Sequence, residues 1–330
     1  MEKFVLQWHI THKCNLRCKH CYQDDYCQDL NLKQLYKIFY QFLDFCKEKK
    51  VKGHINFTGG EPFTNYYLFA LLELCEKNNI SFGILTNGTL LNNRIVKDLS
   101  KFKKLSFVQI SIDGIPTTHN EIRGENNFEK ALNGCKLLKK YNIQTMVSFT
   151  VHKKNYLELS KVIKIVKENK IDRFWTDRLI PIDNNKEIND SMILNTYEFQ
   201  QFNKILIKEK KKADRNPFCK TTIHTNRALQ FCYDFKTPIY QCSAGIHLLA
   251  ILADGTLLPC RRLPIKIGNV LNSSILELYN SSEIIKDLNK NEIPNECNHC
   301  SKALYCRGGA KCLSYALNGN YTQKDVNCWF

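Results

Sequence analysis

Three cysteines near the start of the chain constrain its fold and its chemistry more than any other feature. Cys14, Cys18 and Cys21 have the spacing C-x3-C-x2-C and follow an apolar run, 4–10, that is typical of a buried strand. Three thiolates this close together can hold three irons of a [4Fe–4S] cluster and leave the fourth iron open to another ligand. A structural zinc ion would need a fourth protein ligand, for which His12 or His20 is available.

The segment 12–22 resembles the signature of the radical SAM superfamily. In that family the open iron binds S-adenosylmethionine (SAM), and an electron from the cluster cleaves SAM to methionine and a 5′-deoxyadenosyl radical. The radical abstracts a hydrogen atom from the substrate. The resemblance therefore implies an enzyme with a [4Fe–4S] cluster and SAM as cofactors, in which His20, just before the last cysteine, contacts the adenine.

The composition favours a globular metalloprotein of a reducing compartment. Of the 330 residues, 43% are hydrophobic and 24% charged, and no apolar run is long enough to span a membrane. Sixteen cysteines without an export signal predict a cytoplasmic protein whose cysteines bind metals or act in catalysis. The net charge of +16 would suit nucleic acid, but the lysines are scattered along the chain, which favours a solvated surface over a nucleic-acid interface.

Strand-like and helical segments alternate from Phe4 to Pro181, which predicts an α/β fold with a parallel sheet. The predicted strands are 4–11, 54–58, 81–86, 107–113, 144–151 and 173–180. The predicted helices are 32–47, 66–78, 92–101, 128–141 and 156–168. Six β/α units are too few for a closed eight-stranded barrel. The resemblance implies a partial (β/α)6 TIM-type barrel, with its site at the C-terminal ends of the strands.

The chain divides by composition into three predicted regions. Residues 1–182 would form the barrel, and the polar, lysine-rich residues 183–234 would bridge it to a second domain. Residues 235–330 are dense in Cys, Gly and Pro and would form a second, Cys-rich domain.

Residues at the ends of the predicted strands suit the binding of SAM. Gly59, Gly60, Glu61 and Pro62 match the family's GGEP motif, which binds the methionine amino group; glycine lets the backbone approach a ligand and a carboxylate accepts from an amine. Four further residues resemble the ribose-binding motifs, although turns at strand ends would also explain them. They are Thr86, Asn87, Ser111 and Asp113.

Three more positions have implied roles around the cofactor and the substrate. Arg123 resembles an arginine that pairs with the SAM carboxylate, and Val151 would form an adenine wall or belong to the core. Asp177, at the end of the sixth predicted strand, would act as a general base or substrate anchor, or form an ordinary ion pair with Arg178.

Seven cysteines in the C-terminal region suit two metal sites, and their order resembles the SPASM domain of peptide-modifying radical SAM enzymes. That domain carries auxiliary [4Fe–4S] clusters. The ligands implied for one cluster are Cys297, Cys300, Cys306 and Cys328. Those implied for the other are Cys242, Cys260 and Cys312.

The chain departs from the SPASM pattern at one position. The usual cysteine four residues after Cys306 is Ala310, and Cys312 would replace it. The fourth ligand of that site stays open between Cys219, Cys232, water and a substrate thiolate. Zinc ribbons are the alternative for this half of the chain.

Taken together, the motifs imply a radical SAM/SPASM maturase of a ribosomally made, Cys-rich peptide, forming a thioether or another crosslink. Two alternatives use the same chemistry: formylglycine formation on a sulfatase with Asp177 as base, and peptide epimerisation with Cys219 or Cys232 as hydrogen donor. An alternative of another class is a zinc-ribbon protein that binds nucleic acid.

The expected partners follow from the implied chemistry. They are a ribosomally synthesised precursor peptide, a flavodoxin- or ferredoxin-type electron donor, and no membrane. The chain begins almost directly at the first predicted strand, so leader recognition would fall to a separate leader-binding protein or to the SPASM surface. We expect a monomer.

Overall fold

The structure, a computed structural model, describes residues 1–23, 29–181, 191–230 and 240–330. Its strands are β1 (Lys3–His9), β2 (Lys52–Thr58), β3 (Ser81–Thr86), β4 (Leu105–Ser111), β5 (Thr145–Val151), β6 (Arg173–Arg178), β7 (Thr222–Ile223), β8 (Leu248–Ile251), β9 (Thr256–Leu258) and β10 (Gly268–Asn269).

The helices lie between these strands and after them. They are α1 (Leu32–Glu48), α2 (Leu68–Lys77), α3 (Asn93–Leu99), α4 (Pro116–Arg123), α5 (Asn127–Lys140), α6 (Leu159–Glu168), α7 (Thr196–Arg215), α8 (Ile275–Ser281), α9 (Glu283–Lys290), α10 (Ala303–Cys306) and α11 (Lys311–Asn318). Short 3-10 turns cover Pro62–Thr64, Tyr156–Glu158 and Asn295–Cys297.

Ten strands form one sheet in the order β10-β9-β8-β1-β2-β3-β4-β5-β6-β7. Pairing is parallel from β8 through β1 to β7 and antiparallel within β8, β9 and β10. The predicted α/β fold with a parallel sheet is confirmed. The outer strands β10 and β7 do not pair with each other in the described part of the chain, so the barrel is partial, as the resemblance implied.

All six predicted barrel strands are present, but β1, β4 and β6 each end two residues before the predicted end. Side-chain hydrogen bonds turn the backbone out of the sheet at two of these ends. Thr11 Oγ1 donates to Asp29 at 2.8 Å and accepts from the Lys13 amide at 3.0 Å. The Asp113 amide donates to His119 Nδ1 at 3.2 Å. The loops that carry the candidate site residues therefore begin earlier than the apolar runs suggest.

The C-terminal region, predicted as a separate Cys-rich domain, adds three strands to the same sheet. Strand β8 lies beside β1, with Val5 opposite Leu248 and Trp8 opposite Ile251. Strand β1 is therefore an interior strand, and Trp8 and Ile251 are fully buried. This pairing brings the segment after β9, which contains Cys260, next to the cysteine loop after β1.

Helices cover the outer face of the sheet and enclose one main core. Helix α1 begins at a capping box between Asn31 and Gln34 and buries a stripe that includes Phe42 and Phe45. The rings of Phe45 and Phe4 lie 4.9 Å apart and join α1 to β1. None of the described helices is long and apolar enough to cross a membrane.

Candidate active site and cysteine sites

The three N-terminal cysteines lie on the loop after β1 and line one pocket at the C-terminal ends of the barrel strands. Backbone amides point at two of the sulfurs: Leu16 N donates to Cys14 Sγ and Gln23 N to Cys21 Sγ, both at 3.4 Å. Burial raises the pKa of the Cys18 thiol to about 11, although Arg123 acts in the opposite direction. A bound metal would deprotonate such a thiol, and hydrogen bonds to sulfur are a known means of tuning a cluster.

The arrangement fits a cluster better than a single zinc ion. Among the described residues, no three His, Cys, Asp or Glu side chains converge closely enough to hold one metal ion. A zinc ion needs all its ligands within about 2.0–2.3 Å, whereas each thiolate of a cluster binds its own iron. One of the two histidines considered for zinc, His20, has its Nε2 atom 3.2 Å from Asp113 instead.

Gly59 and Gly60 line the pocket, where they let the strand-end backbone approach the cysteine loop. A Cβ on Gly60 would lie 2.2 Å from the Lys13 carbonyl oxygen. Two backbone bonds seal this contact: Gly60 N donates to Thr11 O at 2.9 Å and Glu61 N to Lys13 O at 2.8 Å. The glycines thus hold the cysteine loop against the end of β2.

Glu61 does not face the pocket, which differs from the expected contact with an amino group. Its fully buried carboxylate accepts from Thr86 Oγ1 at 2.7 Å, from the Asn87 amide at 2.8 Å and from the Phe63 amide at 3.2 Å. Burial raises the pKa of Glu61 to about 7, against the lowering effect of these donors. Pro62, which starts the 3-10 turn, is also buried away from the pocket.

Asp113 is likewise buried, so it does not offer its carboxylate to a ribose. It accepts from Arg123 Nε at 2.6 Å and from the Thr150 amide at 2.7 Å, and His20 Nε2 lies 3.2 Å away. Burial raises the pKa of Asp113, but Arg123 and His20 outweigh it and hold the pKa well below the ordinary range. The ionised Asp113 therefore orients Arg123 and His20 at the pocket wall.

Arg123 lies between this carboxylate and the cysteine loop. Its Nη1 atom is 3.8 Å from Cys18 Sγ, and the side chain lines the pocket. The expected pairing with a SAM carboxylate would therefore use only the part of the guanidinium that Asp113 leaves open. His20 lines the same pocket, and its Nδ1 atom is buried without a hydrogen-bond partner among the residues that the structure describes.

The remaining SAM candidates divide between pocket and core. Thr86, Asn87 and Ser111 line the pocket, and Asn87 Nδ2 donates to Asn15 Oδ1 at 2.9 Å, 4.0 Å from Cys14 Sγ. Val151 is 1% exposed and belongs to the core rather than to the pocket lining, so it does not form an adenine wall.

Asp177 lines the pocket at the end of β6 as one partner of an arginine cluster. It forms ion pairs with Arg262 and, at 3.3 Å, with Arg227; Arg227 also lies over the ring of Trp175 at 4.4 Å. Burial raises the pKa of Asp177, but Arg262, Arg227 and Arg178 outweigh it and lower the pKa. Of the expected roles, the geometry fits the ion pair, with Arg262 as its partner in place of Arg178.

Sequence reasoning missed Arg261 and Arg262, which line the pocket from the C-terminal region. Arg262 Nη2 donates to the Arg178 carbonyl at 2.8 Å, and Arg261 Nη2 to the Tyr22 carbonyl at 2.6 Å. One segment thus contacts both β6 and the cysteine loop and spans the gap of the partial barrel. The available signal was two adjacent arginines directly after the predicted ligand Cys260.

The C-terminal cysteines form two groups, as the SPASM resemblance implied. Four of them line one small pocket with Lys302 and Lys324: Cys297, Cys300, Cys306 and Cys328. The second group consists of Cys242 and Cys260 together with Cys312, the cysteine expected to replace the usual one at position 310. Burial raises the pKa of Cys312 to about 12, although Arg262 lowers it. Both groups suit iron ligation, since each places thiols of distant segments together.

Cys219 does not join these groups. Cys219 lies three residues before Thr222, which pairs with Arg173 at the start of β6. It therefore lies near the N-terminal ends of the parallel strands, whereas the pocket is at their C-terminal ends. Its Sγ donates to Thr221 O at 3.6 Å. Cys219 is therefore not placed to supply a hydrogen atom to the pocket or to bind a metal beside Cys312. Cys232 lies outside the described residues.

Comparisons with known proteins match both halves of the chain. Residues 8–166 match the model of the radical SAM superfamily, and residues 242–301 match the SPASM iron–sulfur cluster-binding domain. An AdoMet-dependent heme synthase of Methanosarcina barkeri is 26% identical over 98% of this chain and 95% of its own length. The antilisterial bacteriocin subtilosin biosynthesis protein AlbA of Bacillus subtilis is 26% identical over 97% and 69%.

Solved structures show the same fold. Streptococcus suis SuiB bound to SAM superposes on the whole chain and on 78% of its own, with a TM-score of 0.79 and 18% identity. SuiB bound to its precursor peptide SuiA gives 0.78 at 17% identity, over the whole chain and 76% of SuiB. With its two family matches, its cysteine loop and its C-terminal cysteine groups, this chain belongs to the radical SAM superfamily, as an enzyme with a SPASM domain for auxiliary iron–sulfur clusters.

Proposed function

We propose that this enzyme abstracts a hydrogen atom from a ribosomally made peptide and installs a thioether or another crosslink. One observation carries the proposal: Arg262 contacts Asp177 in the pocket of the first three cysteines, and its charge acts on Cys260 and Cys312 of the second group. A crosslink between two unreactive positions removes two electrons from the substrate. Such a reaction needs an electron acceptor. The thiols that would hold one lie beside the substrate pocket.

When bound, the [4Fe–4S] cluster and SAM would supply a 5′-deoxyadenosyl radical. Cys14, Cys18 and Cys21 would hold that cluster, and Gly60 keeps their loop seated against β2. Asp113 orients Arg123 beside Cys18, where its charge offsets that of the thiolates. Residues at the pocket wall, with Asn87 and Ser111 among them, would contact SAM.

The auxiliary sites have a distinct role in the proposal. We assign Cys297, Cys300, Cys306 and Cys328 to one auxiliary [4Fe–4S] cluster, and Cys242, Cys260 and Cys312 to the other. When bound, these clusters would supply an acceptor for the second electron of the substrate, and we propose an electron donor of the flavodoxin or ferredoxin type as a partner. The three-region division 1–182, 183–234 and 235–330 remains part of the proposal, although the sheet takes strands from all three regions.

The peptide class draws its support from two relatives. AlbA serves in the biosynthesis of a bacteriocin, and SuiB has been solved with a precursor peptide. We extend the same partner class to this chain, acting as a cytoplasmic monomer. The two alternatives with the same chemistry are less well supported, because Asp177 is paired with arginines and Cys219 lies at the opposite edge of the sheet.

A carboxylate-bearing tetrapyrrole is the second candidate substrate. The heme synthase relative aligns with nearly the full length of both chains. The observation that favours it is the arginine-rich pocket wall, with Arg123, Arg261 and Arg262 all in the lining. A polyanionic small molecule would suit such a wall.

The test is the mass of a Cys-containing peptide encoded beside the gene, after anaerobic incubation with reconstituted enzyme, SAM and reductant in deuterated water. Loss of two hydrogen atoms would support a crosslink, and gain of one deuterium without oxidation would indicate epimerisation instead. A tetrapyrrole tetracarboxylate is incubated in parallel. A change in its mass with the peptide unchanged would contradict the peptide proposal and favour the second candidate.

A further inference from the structure

Arg261 is a buried cation at the wall of the active-site pocket. It is 9% exposed, directly follows Cys260 and lines the pocket beside the cysteine loop. Its guanidinium lies over the Tyr22 ring at 4.3 Å, and Nη2 donates to the Tyr22 carbonyl at 2.6 Å. Tyr22 therefore fixes the position of the guanidinium and leaves its other N–H groups for a further partner.

No carboxylate of the described residues forms an ion pair with Arg261. The direct contacts of Arg261 supply no negative charge either, since they are with the ring and the backbone carbonyl of Tyr22.

The other arginines of the pocket differ in this respect. Arg123 pairs with Asp113 at 2.6 Å, Arg178 with Asp325 at 2.6 Å, and Arg262 with Asp177. Removing a charge from water without a partner costs several kcal/mol. An arginine kept at 9% exposure without an anion among the described residues thus indicates that an anion arrives with a ligand.

The cysteine sites do not account for the charge. Arg123 lies 3.8 Å from Cys18 Sγ, and Arg262 is the main cation acting on Cys312. The direct contacts of Arg261 are with the carbonyl and ring of Tyr22 rather than with a sulfur. Each cysteine site beside the pocket already has an arginine of its own.

We propose that Arg261 anchors a carboxylate of the substrate in the active-site pocket. This rests on the proposed function only in that the substrate enters this pocket. A guanidinium held by its aromatic neighbour offers a planar pair of N–H donors, which match the two oxygens of a carboxylate. The carboxylate comes either from an acidic side chain of a peptide or from a propionate of a tetrapyrrole, and the two sources share this chemistry.

The test is anaerobic calorimetry on the reconstituted, SAM-bound protein with three probes. N-acetyl-glutamyl-N-methylamide represents the peptide carboxylate, its glutaminyl analogue is the uncharged match, and coproporphyrin III represents the tetrapyrrole. We expect at least one carboxylate probe to bind the wild type ten or more times more tightly than the glutaminyl probe. Arg261→Gln should remove this preference, and Arg261→Lys should retain part of it because it keeps the charge but loses the planar fork.

Arg215→Gln is the matched control, since Arg215 is exposed at the end of α7 and should keep the full preference. Iron content and thermal midpoint establish that each variant is folded and loaded. A preference that survives in Arg261→Gln, or the absence of any preference for a carboxylate in the wild type, would overturn the proposal. The carboxylate probe that binds more tightly identifies the source of the substrate carboxylate: a peptide for the glutamyl probe, a tetrapyrrole for coproporphyrin III. Formation of 5′-deoxyadenosine by the wild type is measured separately, so that failure of the proposed function is distinguishable from failure of the anchor.

Discussion

Arg178 at the end of β6 binds both carboxylate oxygens of Asp325, near the C-terminus, at 2.7 and 2.6 Å. The pair is 5% and 0% exposed. Asp325 also accepts from the Ala310 amide at 2.8 Å, on the segment that leads to Cys312. The barrel and the C-terminal cysteine region are thus joined through one buried, bidentate ion pair.

Breaking this pair should destabilise the protein strongly. Arg178→Leu leaves the Asp325 carboxylate buried without its cation, for which we expect a loss of about 3–5 kcal/mol in the free energy of unfolding. Asp325→Asn should cost much less stability in the Arg178→Leu variant than in the wild type, because it removes the buried carboxylate that has lost its cation. Anaerobic denaturation of the two single variants and the double variant measures this coupling.

The exposed pair Lys101–Asp98, 2.6 Å apart, serves as control. Lys101→Met should leave the stability nearly unchanged, because solvent screens this exposed pair. Strictly additive effects of the two core substitutions would contradict the assigned coupling.

Gly60→Ala should remove iron from the first site while sparing the C-terminal sites. The added Cβ would meet the Lys13 carbonyl oxygen at 2.2 Å, and backbone there cannot move without shifting the cysteine loop. We expect iron to fall from about twelve to about eight per chain, the content of two remaining [4Fe–4S] clusters. Metal analysis with spectroscopy of the reduced protein measures it.

Gly319→Ala is the matched substitution, because a Cβ there would meet nothing within 4 Å. Its φ of 71° makes alanine cost about 1 kcal/mol in stability, but iron should stay at the wild-type level. Equal iron in Gly60→Ala and the wild type would show that the loop does not depend on this contact.

Ionisation of Glu61 should lower the stability as the pH rises. The pKa of Glu61 is about 7 in the folded protein, against the ordinary 4.5 of a glutamate in the unfolded chain, so the folded state binds more protons between these values. The stability contribution of the protonated carboxyl is complete below about pH 4.5 and is lost as the pH rises through 7, by about 3 kcal/mol in total. The Glu61→Gln variant has no carboxyl to ionise at this position, so its thermal midpoint should fall less between pH 5 and 8 than that of the wild type. Parallel curves for the two proteins would refute the buried, protonatable state.

Asp177→Asn should loosen the segment after Cys260. Arg262 and Arg227 would both lose this carboxylate as an ion-pair partner. We expect backbone amides of residues 261–263 to exchange with solvent at least tenfold faster, as followed by hydrogen exchange and mass spectrometry. Asp98→Asn, which removes an exposed carboxylate, is the control. Unchanged exchange in Asp177→Asn would mean that the arginine cluster does not fix this segment.

The sequence was sufficient for features that depend on local spacing. The cysteine triplet, the Gly59–Gly60 turn and the alternation of strands and helices are all encoded within short windows, and the pocket forms where parallel strands end. Pairing between distant segments was not readable in this way. Strand β8 joins β1 from more than two hundred residues away, and β9 and β10 are too short to show alternation.

Side-chain partners were the least predictable part of the site. Glu61 and Asp113 have the chemistry of ligand-binding carboxylates, but burial commits them to Thr86, Asn87 and Arg123. Whether a carboxylate faces a ligand or satisfies buried donors depends on which loops meet in space. The same holds for Arg261, whose lack of a counter-ion among the described residues becomes evident only when its neighbours are known.

We propose that Cys14, Cys18 and Cys21 hold the radical SAM cluster. This proposal is tested most directly by 5′-deoxyadenosine formation from SAM under reducing, anaerobic conditions, in the wild type and in the variant with all three cysteines changed to alanine. We predict product from the wild type and none above background from the variant, with about eight irons per chain still bound at the C-terminal sites. Formation of 5′-deoxyadenosine by the variant at the wild-type rate would contradict the assignment.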